Sequence, residues 1–230
     1  MNFLDVIFPK RCVGCGKIGA YLCPTCRKQV VLIATNECVC PVCDRKALGG
    51  ATHPRCRSRY ALDGLTSFFY YTTVTREIIR SIKYRFVSDM VTPVIDLIPP
   101  TLFGLLPMSK TESSTIVPIP LHPSRMRFRG FNQAEKFGAI LSSKLQVPMR
   151  TDMLVRTRNT VPQVSMGTKG DRLKNMEGVF AVRPNVKNDL RNTGIFLLDD
   201  VYTTGATMRS AANILKRNGA KFVWAITVAR

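Results

Sequence analysis

The stretch Ile195-Phe196-Leu197-Leu198-Asp199-Asp200-Val201-Tyr202-Thr203-Thr204-Gly205-Ala206-Thr207 decides how this 230-residue chain reads. Its leading apolar residues, with no polar alternation, predict a parallel strand buried on both faces. A helix is expected from about Ala206: Met208, Ala212 and Leu215 share a face, Lys216 and Arg217 occupy its last turn, and Gly219 supplies a stop. Thr203 to Thr207 is then a strand-to-helix turn, whose N–H groups and threonine hydroxyls suit a phosphate dianion at the positive end of the helix. Two carboxylates at the strand's end can accept hydrogen bonds from a sugar's vicinal hydroxyls and help hold a divalent metal. The ligand suggested is a sugar phosphate. A Rossmann-like strand with helix-capping acids would share the acid pair but not the whole turn.

Four apolar residues, two acids and a TTGxT loop resemble the phosphoribosyl-pyrophosphate (PRPP) signature of type I phosphoribosyltransferases. By that resemblance Asp199 and Asp200 bind the ribose hydroxyls, and Thr203, Thr204, Gly205, Ala206 and Thr207 hold the 5′-phosphate, with Mg²⁺ accompanying PRPP. The expected fold is α/β, a type I phosphoribosyltransferase-like parallel sheet flanked by helices.

All eight cysteines fall between Cys12 and Cys56. This sets an expected boundary between a 1–60 module and a 61–230 domain of ordinary size. Cys12-x-x-Cys15 and Cys23-x-x-Cys26, then Cys40-x-x-Cys43 and His53-x-x-Cys56, form two near-repeats, each able to surround one structural Zn²⁺ tetrahedrally. Cross-braced pairing would use the same residues, and disulfides are the alternative in an oxidising compartment. Cys38 competes with this spacing and is expected to stay free. So short a piece has little core of its own, so metal binding is expected to fold it.

The net charge is +19, with ten Lys/Arg against three acids in 1–60 and 24 against 12 thereafter. Such a balance attracts polyanions, nucleic acid foremost, although a solvated basic surface has the same composition. The apolar Met1–Phe8 stretch lacks the flanks of a leader, and no later run reaches membrane-spanning length, so no membrane insertion and a cytoplasmic location are expected.

Outward from the central stretch, strands are expected at Leu65–Tyr71, Ile116–Pro120, Val179–Val182 and Phe222–Ala229, all in one sheet with Trp224 in its core. Helices are expected at Val74–Tyr84, at Val91–Leu106 with a break near Pro99-Pro100, and before Lys144. Arg76, Arg80 and Lys83 fall on the helix face opposite Ile78, Ile79 and Ile82, as a solvated or polyanion-facing stripe. Between Leu121 and Gln133 a loop is expected, in which Arg125, Arg127 and Arg129 alternate with Met126 and Phe128. It offers cations for phosphate and a ring for base stacking.

The zinc-ribbon head, VPIP followed by RxRGFNQ, a basic stretch with Gln163 and Arg172-x-x-Asn175, and DDVYTTGAT in that order resemble the ComF family across essentially the whole chain. The resemblance implies a role in natural transformation, with single-stranded DNA, PRPP and a competence helicase as partners and Arg125, Arg127, Phe128 and Arg129 toward DNA. By resemblance to the enzymes, Pro118–Arg125 is the pyrophosphate loop, Arg156–Asn175 the flexible closing loop, and Arg125 or Arg172 stabilises a departing pyrophosphate. No residues of a nucleobase pocket are identifiable. A phosphoribosyltransferase acting on a base or nucleotide and a zinc-ribbon adaptor therefore stand as alternatives to a DNA-handling protein.

Overall fold

The computed structural model describes residues 9–84, 88–104, 106–108, 113–159 and 178–230. Four strands form one parallel sheet in the order β1-β6-β5-β2. They are β1 (Gly64–Phe69), β2 (Ser114–Pro118), β5 (Gly194–Val201) and β6 (Phe222–Ala229). The long apolar run folds as expected because it is covered on both faces. Phe196 and Leu198 join one buried cluster with Phe68, Ile116, Phe137 and Ile226, whereas Ile195 and Leu197 join the other with Leu65, Val117, Met208 and Leu215. Trp224 is a core residue, 2% exposed, and its Nε1 donates to Thr66 Oγ1 at 2.9 Å.

Seven α-helices are described: α1 (Pro24–Arg27), α2 (Thr73–Tyr84), α3 (Val91–Ile95), α4 (Pro100–Phe103), α5 (Pro123–Arg129), α6 (Gln133–Leu145) and α7 (Ala206–Arg217). Helix α6 packs on β2 and β5, and α7 on β5 and β6. Pro99-Pro100 does divide the second helical region, with Pro100 opening α4.

Two expectations are corrected. The Val179–Val182 segment does not extend the main sheet: β4 (Phe180–Val182) pairs antiparallel with β3 (Leu154–Arg156) as a separate ribbon. The arginine-rich segment after β2 is not a loop. Pro123 at the first helical position and left-handed Gly130 just past the end (φ 75°) delimit helix α5, an arrangement that favours a short helix on both counts.

The cysteine-bearing head is continuous with the sheet. Its segment at Val31–Ile33 lies along the outer edge of β1, with Ile33 N donating to Phe68 O at 2.9 Å and Tyr70 N to Val31 O at 2.9 Å. Ala51 bridges Gly64 in the same way. An edge strand that would otherwise present unpaired backbone groups is thereby covered.

Candidate functional site

Strand β5 carries Asp199 and Asp200 at its C-terminal end, where parallel sheets bind their ligands. Successive residues on a strand face opposite ways, so the two carboxyl groups have different surroundings. Asp200 is 4% exposed and forms an ion pair with Lys83 at the end of α2. Asp199 Oδ1 accepts from Asp200 N at 2.9 Å.

Cations gather about this pair. Arg129, 7% exposed, places its guanidinium over the Tyr84 ring with 5.4 Å to the centroid and donates to Gln133 Oε1, while its buried Nε has no hydrogen-bond partner among the described residues. Burial lowers the Arg129 pKa against the pull of Tyr84 and Asp200. Arg156, from β3, sits 5.6 Å from the Phe180 centroid, and burial together with the Arg125 charge lowers its pKa to about 10 against the opposing effect of Asp199. Burial works against the Lys83 ammonium too, but the charge and hydrogen bond of Asp200 more than offset it and hold its pKa above the ordinary lysine value.

The charged form of Asp199 is disfavoured by its surroundings. Burial first, and the Asp200 charge second, push its pKa up to about 7 against the attraction of Lys83. Because the folded value exceeds the ordinary 3.8, Asp199 favours folding most below that ordinary value. The contribution is lost as pH rises through about 7. Asp199→Asn is therefore expected to flatten the fall in ligand-free melting temperature between pH 5 and pH 8. Scanning fluorimetry of both proteins across that range checks this, and parallel curves would contradict it.

Thr203 to Thr207 form the expected turn, and α7 begins at Ala206. Gly205 has φ 73°, and a Cβ there would lie 2.1 Å from the Tyr202 hydroxyl, so backbone conformation and packing both require glycine. Arg209 Nη2 donates to Thr204 O at 2.9 Å. A small hollow lined by Val201, Thr203, Gly205, Ala206 and Thr207 opens beside the turn.

The structure thus brings Asp199, Asp200, Arg125 and the Thr203–Thr207 turn into one neighbourhood and adds Lys83, Arg156 and Tyr84, none of which the sequence singled out for it. Arg125 is half-buried, and its charge bears on both Arg129 and Arg156. Lys83 is withdrawn from the Arg76/Arg80 stripe by its ion pair. Arg129 is likewise withdrawn from the anticipated nucleic-acid surface, whereas Arg127 and Phe128 are exposed, the latter at 73%. Arg172, Gln163, Lys169 and Asn175 lie outside the described residues.

The head gathers two ligand sets in sequential pairing: Cys12, Cys15, Cys23 and Cys26, then Cys40, Cys43, His53 and Cys56, with the ligand atoms of each within 4.8 Å of one another. Both donor sets suit tetrahedral Zn²⁺. His53 Nε2 lies 2.9 Å from Lys46 O, a contact that fixes its proton there and leaves Nδ1, 3.3 Å from Cys43 Sγ, for a metal. Within the first set, burial raises the Cys12 pKa but backbone N–H groups of Cys23, Cys15 and Gly14 overcome it and bring the value to about 6. Burial and the neighbouring thiols push Cys26 up to about 12. Cys38 belongs to neither set.

Fold and site together define a class: a phosphoribosyl transferase domain carrying a double zinc-ribbon head. A family model described as "Phosphoribosyl transferase domain" matches residues 132–230, and one described as "Double zinc ribbon domain" matches residues 3–59. Along most of its length the chain is similar to competence and DNA utilization proteins. It is 28% identical over 205 residues to "Competence protein ComFC" of Bacillus subtilis, covering 86% of this chain and 79% of that one. It is 26% identical over 212 residues to "DNA utilization protein YhgH" of Escherichia coli, covering 88% and 87%. Similarity to "Competence protein F" of Haemophilus influenzae is 31% over 115 residues, so there the match spans about half of each protein, 50% and 49%. Among the described residues no helix is long and apolar enough to cross a membrane.

Proposed function

We propose that this chain binds PRPP with Mg²⁺ between Asp199, Asp200 and the Thr203–Thr207 turn, and that it handles single-stranded DNA in the cytoplasm during natural transformation. One observation carries the ligand reading: a carboxylate pair at the end of β5, beside a helix-opening TTGAT turn, lies among Lys83, Arg125, Arg129 and Arg156. Mixed charge of this kind fits a ligand that offers hydroxyls and a metal to acids and phosphates to cations. The high pKa of Asp199 and the unpartnered Nε of Arg129 mark groups that such a ligand would satisfy.

PRPP, when bound, supplies an electrophilic anomeric carbon with pyrophosphate as leaving group. Asp199 and Asp200 would orient the ribose through its hydroxyls, the turn would hold the 5′-phosphate by backbone N–H groups and threonine hydroxyls, and Arg125 would offset charge on the pyrophosphate. Lys83 and Arg129 keep the acids and α5 in place. Where a nitrogen acceptor is present, the same arrangement would favour transfer; without one it is a ligand site.

The DNA reading is supported by the net charge of +19, by exposed Arg127 and Phe128 on one short helix, and by relatives whose names are competence and DNA utilization proteins. Phe128 offers a stacking face and Arg127 a phosphate contact. In fluorescence anisotropy with zinc-loaded protein, labelled single strands should bind more tightly than duplex. Arg127→Ala should reduce the log–log salt slope by about 0.7, the loss of one phosphate contact. Phe128→Ala should weaken binding about fivefold or more. No binding of single strands near physiological salt would overturn the DNA reading.

A further inference from the structure

Tyr202 links the TTGAT turn to the second zinc ribbon. Its hydroxyl donates to the carbonyl of Pro41 at 2.6 Å, and Pro41 lies within the Cys40–Cys43 knuckle between two ligands of the second set. The knuckle is a tight turn: Cys40 N donates to Arg45 O at 2.9 Å and Asp44 N to Cys40 O at 3.0 Å. Pro41 thus directly follows one residue that would hold the ion and stands two positions before another, within a turn closed by these bonds.

On the other side, Tyr202 is 5% exposed and packed so close to Gly205 that no Cβ fits between them. Tyr202 and Ala206, which opens α7, are buried in the same apolar cluster, and Val39 from the ribbon packs against it. Arg209 from α7 adds the 2.9 Å bond to Thr204 O. A chain of direct contacts thus runs from the second metal set through Pro41 and Tyr202 to Gly205, the residue whose left-handed backbone shapes the turn.

We propose that Tyr202 is a positioning residue that couples metal occupancy of the second ribbon to the conformation of the Thr203–Thr207 turn, and thereby to the affinity of that turn for a 5′-phosphate. With the ion present the Pro41 carbonyl is held where Tyr202 can reach it, and the turn is braced. Without the ion the knuckle loses its constraint, Tyr202 loses its acceptor, and the turn becomes free to sample forms that do not present N–H groups together. Coupling of this kind is reciprocal, so a ligand on the turn should slow metal loss from the second set. The consequence for affinity rests on the proposed ligand of this turn; the coupling of ribbon to turn does not.

Tyr202→Phe retains the ring and removes only the donor. In the full zinc-loaded chain it is expected to weaken PRPP–Mg²⁺ binding about tenfold, the value of one buried hydrogen bond. It should also speed zinc loss to a colorimetric chelator from the second set but not the first, with His53→Ala identifying the second-set phase. Hydrogen exchange of the turn amides should be faster in both variants. Exchange and zinc loss that match the parent, with PRPP affinity within twofold, would overturn the inference. A parent protein that takes no PRPP, yet whose turn amides and second-set zinc both respond to Tyr202→Phe, would uphold the coupling and instead refute the proposed ligand.

Discussion

Asp200→Asn is expected to lower unfolding free energy by about 3 kcal/mol, the low end for breaking a buried ion pair by removing one partner. It should also weaken PRPP–Mg²⁺ binding on the order of a hundredfold, as one charged acceptor disappears from the ribose and metal side of the site. The loss of stability arises because Lys83, only 23% exposed, is left among cations with its partner gone. Lys83 also feels the charge of Asp199, and this limits the damage. Urea unfolding reads the stability, and adding Lys83→Met should restore most of it while leaving binding weak. A single variant as stable as the parent would show that the ion pair contributes nothing to the fold.

Chelation of zinc is expected to lower the melting temperature by at least about 20 °C, since structural zinc contributes roughly 10 kcal/mol or more in small modules and each kcal/mol is worth about 2–4 °C in a domain of this size. The two sets should differ in reach. Cys12, Cys23 and Cys26 are buried in the same apolar cluster as Val74, Ile78 and Phe68, so failure of the first set opens the face of the sheet that α2 covers. Failure of the second set releases the Tyr202 contact and should cost less stability. Cys26→Ser should therefore reproduce most of the chelator effect and His53→Ala a smaller part, with metal content read by mass spectrometry as two ions in the parent. Loading should release protons near neutral pH: when no cation is present, burial and the neighbouring thiols hold the Cys26 pKa at about 12, and the hydrogen bond to Cys43 together with burial holds that of Cys56 at about 11. An unchanged melting temperature after complete metal removal would contradict a folding role for zinc.

What the sequence disclosed was local. β5 and its turn could be read because an uninterrupted apolar run, two acids and a small-residue loop are contiguous, and both ligand sets because their spacing repeats. Lys83 was hidden, since its i, i+4, i+7 relation to Arg76 and Arg80 describes a solvated stripe until the last turn of α2 is placed against Asp200. Arg156 lies on a three-residue strand with no periodicity to reveal it, and its partnership with Phe180 is set by an antiparallel register that strand–helix alternation does not encode. In the sequence the residues of α5 read as a loop because Pro123 and Gly130 look like turn punctuation, although proline at the start and glycine past the end are also how a short helix is bounded. That difference matters for function. On a helix, Arg125 and Arg129 are four residues apart and share a face, from which Arg129 is buried near the acids, while Arg127 and Phe128 remain outside.

The Tyr202–Pro41 contact brings the second zinc ribbon against the Thr203–Thr207 turn, so the head reaches the site as well as covering the edge of β1. Two basic regions are also distinct, one gathered about the acid pair and one exposed on α5 at Arg127.

Calorimetric titration of PRPP into the zinc-loaded protein, with and without Mg²⁺, beside Asp200→Asn, tests the central claim most directly. Saturable binding that requires Mg²⁺ and is lost in the variant is the predicted result. Absence of heat in the parent at millimolar PRPP, or equal binding by parent and variant, would contradict the assignment of this site.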